Sequence, residues 1–294
     1  MDINTKKDTP SNLWNASRDM EIAAMRKLTK DLSVLESAAR HCYESGVQVA
    51  TLKGKHQHEY DDMKLAAVFL KRALTDLRAV WLLISMGYTS QAASVAASLF
   101  EHALAVNCLA GSPENAKTVH NENDDLPWKP KELAKSLAKQ HQNEAKQKGE
   151  TFGQSEYELT WREIYYGYKL LCKIKHPTGR STIYDTTNTV RPNGTYVIMA
   201  YPNIKPEDLP LKVVIMSIAV NRCYDAIRKF AIELNCDKDE PYFHDFCDRL
   251  NTVNHFADTA LKSVAELRLP FDISDTPFYK EYMQYKAREK RDRQ

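Results

Sequence analysis

The sequence predicts an all-α protein built as a helical bundle, and three observations support this fold class. Apolar residues recur at spacings of three and four, as at Leu70, Leu74 and Leu77, which is the period of a helix with one buried face. Helix stop and start signals follow each other closely, as at Gly87 and Thr89. Glycine is scarce, at 9 of 294 residues, whereas folds with many tight turns need more of it.

Most of the chain is predicted to be helical. The predicted helices are 12–45, 59–86, 89–110, a short one from Pro113, 130–148, 155–176, 207–235, 241–267 and a last one from Asp275. Thr89 or Ser90 is expected to cap the third of these helices. One interval departs from the helical period: a Pro-Asn-Gly turn signal precedes a β-prone run from Thr195 to Tyr201. This pattern predicts a small β-hairpin or irregular insertion near 185–203.

The order of these elements predicts three segments. Residues 1–58 are expected to form an N-terminal helix and linker packed on the core, and residues 59–267 the main helical domain. Residues 268–294 are expected to form a C-terminal helix and a basic tail. A chain of this length can bury a sizeable core without disulfide bonds or metals.

Composition places the chain among ordinary globular proteins. Apolar residues make up 43% and charged residues 27%, and the net charge of +2 is too small to indicate a nucleic-acid or membrane partner by itself. The six cysteines form no CxxC pair and the N-terminus has no apolar signal segment, so a cytoplasmic protein with reduced thiols is expected. Residues 91–111 are apolar but include Glu101, His102 and Asn107, which predicts a core helix and no membrane contact.

Motifs for common cofactors and metals do not occur in the sequence. It contains no GxxxxGK[ST], GxGxxG, HExxH or GxSxG pattern, so no cofactor and no metal are expected. The pair His56 and His58 and the dipeptide His244-Asp245 lack the further ligands that a metal site needs.

Glu101 is the only charged residue between Ala79 and Pro113. A lone carboxylate on an apolar helix is costly unless it is paired or protonated. A structural ion pair or hydrogen bond is one interpretation, and a functional carboxylate with a shifted pKa is the other. In either case Glu101 is expected to be largely buried and to meet a polar group of another helix. The expected partners are Arg78, Lys169 and His176.

His176 is the second candidate, because it stands at the end of a predicted helix just before Pro177. At 100° per residue, Lys169 projects from nearly the same face as His176, about 10 Å away along the axis. Pro177 turns the chain away and would leave this end of the helix open to a ligand. The alternative is structural, since a histidine at a helix C-terminus favours the helix dipole.

Two segments together resemble a known family. The stretch LLISMGYTSQAASVAASLFEHALAVNCLAGSPENA at 82–116 and the stretch YYGYKLLCKIKHPT at 165–178 are similar to hallmarks of an uncharacterised bacterial branch of the HEPN-like superfamily. The resemblance covers roughly residues 60–235. It implies an α-helical bundle that is commonly dimeric. Many members of this superfamily are metal-independent ribonucleases of toxin–antitoxin, abortive-infection or phage-defence systems.

The resemblance also implies roles for individual residues. His176 takes the place of the family's histidine and would act as general acid or base, while Lys169 stands where the family has an arginine. Glu101 would orient one of these groups, and Ala97 stands where related sequences often carry a second arginine. The residues implied to bind substrate are Lys173, Lys175 and Arg180 for phosphate, and Tyr165 and Tyr168 for a base, although tyrosines at this spacing more often belong to a core.

Two functions remain open at this point. The first is an RNA-binding or RNA-cleaving HEPN-like protein of bacterial phage defence or a toxin–antitoxin system, with an endoribonuclease as the enzymatic form. The second is a non-catalytic helical subunit that acts as an interaction, sensor or scaffold protein in a defence complex. The expected partners are RNA, a second copy of the chain in a homodimer, and a protein encoded nearby. The basic cluster around His176 favours the first function, and the weak overall basicity favours the second.

Overall fold

The computed structural model of the chain confirms the predicted all-α class. It describes residues 10–54, 61–121, 126–176, 179–189, 201–264 and 276–292. These residues hold eleven α-helices and one 3-10 turn, and no strand occurs among them. The helices are α1 (Pro10–Asp31), α2 (Ser33–Val49), α3 (Asp61–Ser85), α4 (Thr89–Leu109), α5 (Pro113–Asn121), α6 (Pro130–Gln147), α7 (Gln154–Lys175), α8 (Gly179–Thr189), α9 (Leu209–Leu234), α10 (Phe243–Ser263) and α11 (Pro277–Asp292).

The predicted N-terminal helix is in fact two helices. The backbone leaves helical geometry at Leu32, where φ is −115° and ψ is 27°. Leu28 and Leu35 are buried on either side of this bend, so α1 and α2 each keep an apolar face on the core. Helix α2 continues to Val49, which shortens the linker that the sequence placed at 46–58. It packs on α9 and α10 and shares the main core with them.

Helix α4 lies at the centre of the bundle, with α3, α9, α7 and α6 packed around it. Alanines such as Ala92, Ala96 and Ala103 are fully buried, and their small side chains let neighbouring helices approach closely. Among the described residues, α4 is the one helix long and apolar enough to cross a membrane, and 72% of its apolar window is buried inside the protein. Such burial is what a core helix shows.

The turn between α3 and α4 depends on a glycine. Gly87 has a φ of +84°, which side chains with a Cβ rarely adopt. Its carbonyl oxygen also accepts a hydrogen bond from the backbone N–H of Asn203, at 2.9 Å. A Cβ at this position would lie 2.8 Å from that same nitrogen. The turn therefore needs glycine both for its backbone angles and for the close approach of the segment after α8.

The predicted β-hairpin near 185–203 is not confirmed. Helix α8 covers 179–189, residues 190–200 lie outside the described part of the chain, and no strand occurs at 201–205. The sequence of α8, GRSTIYDTTNT, is polar and rich in β-branched residues, so it carries little helical periodicity. Tertiary contacts hold this helix instead, because Ser181 and Tyr184 are both buried against its neighbours.

Candidate basic site at the end of α7

His176 ends α7, and its backbone is held firmly while its ring is open to solvent. The residue is the C-cap, with extended φ and ψ of −81° and 141°. Its N–H donates to the carbonyl oxygen of Cys172 at 3.0 Å, and its own carbonyl oxygen accepts from Ser181 Oγ at 2.7 Å. The imidazole is exposed and makes no hydrogen bond within the described part of the chain. Ser181 thus fixes the corner between α7 and α8 and leaves the ring available to a ligand.

Three lysines on the last two turns of α7 have no acidic partner among the described residues. Lys169, Lys173 and Lys175 lie on the last two turns of α7, and none of them has a carboxylate within 4 Å among the described residues. Four described lysines elsewhere do pair with a carboxylate, as Lys229 Nζ does with Glu233 Oε1 at 2.5 Å. We call Lys169, Lys173, Lys175 and His176 the α7 basic end. Its positive charge is not neutralised by the described part of the protein.

Lys169 and His176 belong to the same stretch of helix but are not close together. Seven residues at 1.5 Å each separate them by about 10 Å along the axis. Lys169 Nζ lies 5.9 Å from the centre of the Tyr165 ring. A lysine and a histidine at this spacing suit two points along a polyanion better than a single reacting atom. The side chain of Arg180, predicted to belong to the same cluster, lies outside the described residues.

Glu101 contacts another helix, but not through any of the predicted partners. Its Oε1 accepts a hydrogen bond from the hydroxyl of Tyr168, at 2.8 Å, instead of pairing with Arg78, Lys169 or His176. The residue is of intermediate burial, so it is neither fully enclosed nor open to bulk solvent, and the expected contact with a polar group of another helix is made by Tyr168. Burial raises the pKa of Tyr168, and hydrogen bonds with Cys172 and Glu101 add to the effect. Tyr168 lies eight residues before His176, or about 12 Å along α7, so Glu101 does not orient the imidazole.

The two predicted base-binding tyrosines are partly occupied by packing. The ring of Tyr168 lies 5.1 Å from that of Phe100 and 6.1 Å from that of Tyr165. The ring of Tyr165 also meets Phe278 of α11 edge-on, at 5.1 Å. These contacts agree with the core interpretation of both tyrosines more than with a free stacking surface.

The most deeply buried charges are a pair that the sequence analysis did not single out. Asp208 is 2% exposed and Lys212 is 0% exposed, and Lys212 Nζ donates to Asp208 Oδ2 one helical turn away. Burial lowers the pKa of Lys212, and the neighbouring carboxylate of Asp208 opposes that change. A signal for this pair was present, since Lys212 is the only charge in the run LPLKVVIMSIAVN at 209–221.

This pair connects the start of α9 to α4, which packs on α7, and to α8, which follows α7 in the chain. Asp208 Oδ2 also accepts from Thr89 Oγ1 of α4 at 2.6 Å, and Asp208 Oδ1 accepts from the hydroxyl of Tyr184 of α8. Ser90 Oγ donates to Asp185 of α8 at 2.8 Å. Thr89 and Ser90, predicted as helix caps, therefore use their hydroxyls to hold α8 and α9 instead.

The described residues contain no group of three or more His, Cys, Asp and Glu side chains that could hold a metal ion. Comparison of the chain with protein-family models, with curated proteins and with solved structures finds no match.

Proposed function

We propose that this protein is a HEPN-like helical protein that binds single-stranded RNA through the α7 basic end, in a bacterial phage-defence or toxin–antitoxin setting. One observation carries the proposal: Lys169, Lys173 and Lys175 have no acidic partner among the described residues and stand beside an exposed histidine. Unpaired lysines on one exposed helix end are the electrostatic footprint of phosphate binding. The resemblance of residues 82–116 and 165–178 to the HEPN-like superfamily also supports a role in RNA binding.

Binding without cleavage is the form of this function that the geometry favours. A general acid or base works best when a third group orients its ring, as carboxylates commonly do for histidine. No described residue bonds the imidazole of His176, and Glu101 is engaged with Tyr168 about 12 Å along the helix. If cleavage occurs, His176 would transfer the proton at the ribose 2′-hydroxyl and the lysines would stabilise the phosphate charge.

A non-catalytic interaction subunit is the second candidate, and exposed apolar side chains favour it. Ile183 of α8 is 66% exposed, and Ile204 is 40% exposed. Both lie at the same end of the bundle, because α8 bonds to the start of α4 and the segment at 201–204 bonds to Gly87. Exposed apolar groups beside a basic site suit a surface that meets another protein.

Fluorescence anisotropy with a labelled single-stranded RNA at several salt concentrations tests the RNA proposal. The double variant Lys173→Gln/Lys175→Gln should weaken binding and lower the magnitude of the salt slope by about 1.4, at about 0.7 for each lost phosphate contact. The control is Lys146→Gln/Lys148→Gln, which removes two exposed lysines from the end of α6. This control should leave both the affinity and the slope unchanged.

Three other outcomes separate the alternatives. Equal loss in both double variants would show general charge attraction and contradict a site on α7. Cleavage of the RNA in a chelator, abolished in a folded His176→Ala variant, would establish the enzymatic form. Absence of RNA binding by the wild-type protein would favour the interaction subunit.

A further inference from the structure

A groove between α2 and α3 lies apart from the α7 basic end. It encloses about 290 Å³ and is lined by two aromatic residues, Tyr43 and Trp81, and two arginines, Arg40 and Arg78. Leu77 is buried at its base. The volume is at the lower edge of the range for small-molecule sites, roughly 300 to 1,000 Å³. A site of this size suits one ring system rather than a peptide or a polymer.

The donors of this groove have no partners in the described part of the protein. Arg40 and Arg78 make no hydrogen bond or ion pair there, and the hydroxyl of Tyr43 and the indole N–H of Trp81 make no hydrogen bond. Arg78 Cζ lies 5.9 Å from the centre of the Tyr43 ring. Most other arginines with described side-chain contacts pair with acids, as Arg228 does with Glu144. Four donors on one groove that make no hydrogen bond within the described residues indicate a ligand that supplies acceptors.

Two carboxylates also line the groove, and they do not cancel this charge. Glu44 is engaged by the guanidinium of Arg249 from α10. Glu36 has no partner among the described residues and lies beside the two arginines. The two arginines therefore exceed the free carboxylates by one positive charge. The side chain of Glu36 remains as an acceptor for a donor group on the ligand.

We propose that this groove binds a small aromatic anion, meaning a planar ring that carries one carboxylate or phosphate group. The ring lies against Tyr43 and Trp81, where aromatic stacking and burial stabilise it. Its anionic group accepts charge-assisted hydrogen bonds from Arg40 and Arg78, whose planar guanidinium groups match a carboxylate or a phosphate. The site involves α2 and α3 only, so it does not depend on RNA binding by α7.

Isothermal titration calorimetry with two pairs of probes tests this proposal. One pair is adenosine 5′-monophosphate and adenosine, and the other is indole-3-acetate and indole-3-acetamide, so each anion has a neutral counterpart with the same ring. At least one anion should bind saturably, with a Kd at least about tenfold below that of its counterpart. The pair that responds distinguishes a phosphate ligand from a carboxylate ligand.

Substitutions locate the binding. Arg40→Gln and Arg78→Gln should each raise the Kd of the anion by about tenfold and leave the neutral probe unchanged. Trp81→Leu should weaken both members of the pair. The control is Arg72→Gln, because Arg72 is exposed on the same helix with a similar ring contact, 5.8 Å from Phe69, outside the groove. Circular dichroism melting shows that each variant is folded.

Three results would overturn the proposal. The first is the absence of saturable binding by either anion to the wild-type protein. The second is equal binding of an anion and its neutral counterpart, which would remove the role of the arginines. The third is an equal effect of Arg72→Gln and Arg78→Gln, which would show attraction to general surface charge.

Discussion

Lys212 and Asp208, one turn apart at the start of α9, form an ion pair almost wholly removed from solvent. Asp208 also accepts hydrogen bonds from the hydroxyls of Thr89 and Tyr184, whereas Asp208 is the only described partner of the Lys212 ammonium. The ammonium of Lys212 therefore depends on Asp208 more than the carboxylate of Asp208 depends on Lys212. Removal of Lys212 leaves the carboxylate with two donors, and removal of Asp208 leaves the ammonium with none.

This inequality predicts an order of stability among single variants. Asp208→Ala should lower the free energy of unfolding by about 3 to 5 kcal/mol, because a buried ammonium is left unpaired. Lys212→Met should cost less, about 1 to 3 kcal/mol, because the methionine fills the space and the hydroxyls still satisfy Asp208. Urea denaturation followed by circular dichroism measures both values. A larger loss for Lys212→Met than for Asp208→Ala would contradict the assigned hydrogen bonds.

The pair of Lys229 and Glu233 is a matched control on the same helix. It has the same spacing of four residues, but its side chains are 19% and 32% exposed. Lys229→Met should therefore cost only about 0 to 1 kcal/mol, as is usual for ion pairs in contact with water.

A double-mutant cycle on Glu101 and Tyr168 tests the hydrogen bond that joins Glu101 to α7. Glu101→Gln should cost less stability than Glu101→Leu, because the amide oxygen can still accept from the tyrosine hydroxyl. Glu101→Leu and Tyr168→Phe should show a coupling energy of about 1 to 2 kcal/mol, within the range for a hydrogen bond to a charged group. Strict additivity of the two changes would mean that this hydrogen bond does not stabilise the fold.

Tyr88 should stabilise the protein at neutral pH and lose this contribution in alkali. Its hydroxyl donates to Glu21 at 2.6 Å, and burial, reinforced by Glu21, raises the pKa of Tyr88 to about 12 in the folded chain. Unfolded tyrosine has a pKa near 10, so between about pH 10 and pH 12 the unfolded chain has lost a proton that the folded chain keeps. The stabilising contribution of Tyr88 is complete below pH 10 and is lost as the pH rises through this window.

Comparison with Tyr88→Phe isolates that contribution. The difference in urea midpoint between the wild type and Tyr88→Phe should be largest near about pH 9 and should shrink near about pH 11.5. Tyr242→Phe is the control, because the ring of Tyr242 is 65% exposed. A wild-type advantage over Tyr88→Phe that stays constant across this range would contradict the raised pKa.

We predict a homodimer in solution, from the family resemblance and from the exposed apolar residues near α8. Light scattering at micromolar concentration should give twice the chain mass of 33.7 kDa. Ile183→Glu, at a 66% exposed position, should shift the mass toward the monomer if this face forms the interface. A wild-type monomer mass would count directly against the prediction.

The helices that the sequence predicted well are those with strong apolar periodicity. Helix α3 was predicted at 59–86 and occurs at Asp61–Ser85, because its period of three to four needs no information from elsewhere in the chain. Helix α8 has no such period and is held by Tyr184 and by contacts with α4 and α9. Its existence depends on tertiary partners that a local pattern cannot show.

The candidate site shows the same limit. The position of His176 at a helix end could be predicted, because Pro177 stops the helix wherever it packs. The environment of Glu101 could not be predicted. A charge-free run indicates an apolar helix, but it does not show which face of that helix stays partly exposed after packing. Lys212 stands in an equally charge-free run, yet it is buried and Glu101 is not. Only the arrangement of α4, α7 and α9 distinguishes the two.

Helix α11 has a practical consequence for any shortened form of the protein. It covers α7, where Tyr282 donates to Glu163 at 2.9 Å and Glu281 bonds the buried guanidinium of Arg162. The ring of Tyr166 also lies between 5.4 and 6.4 Å from three aromatic rings of this helix. A clone that stops after α10 would present an uncovered aromatic strip, and Arg162 would keep its ion pair with Glu158 but lose the one with Glu281. Poor recovery of such a clone from expression would reflect the lost cover of α7, and would say nothing about toxicity of the protein to its host.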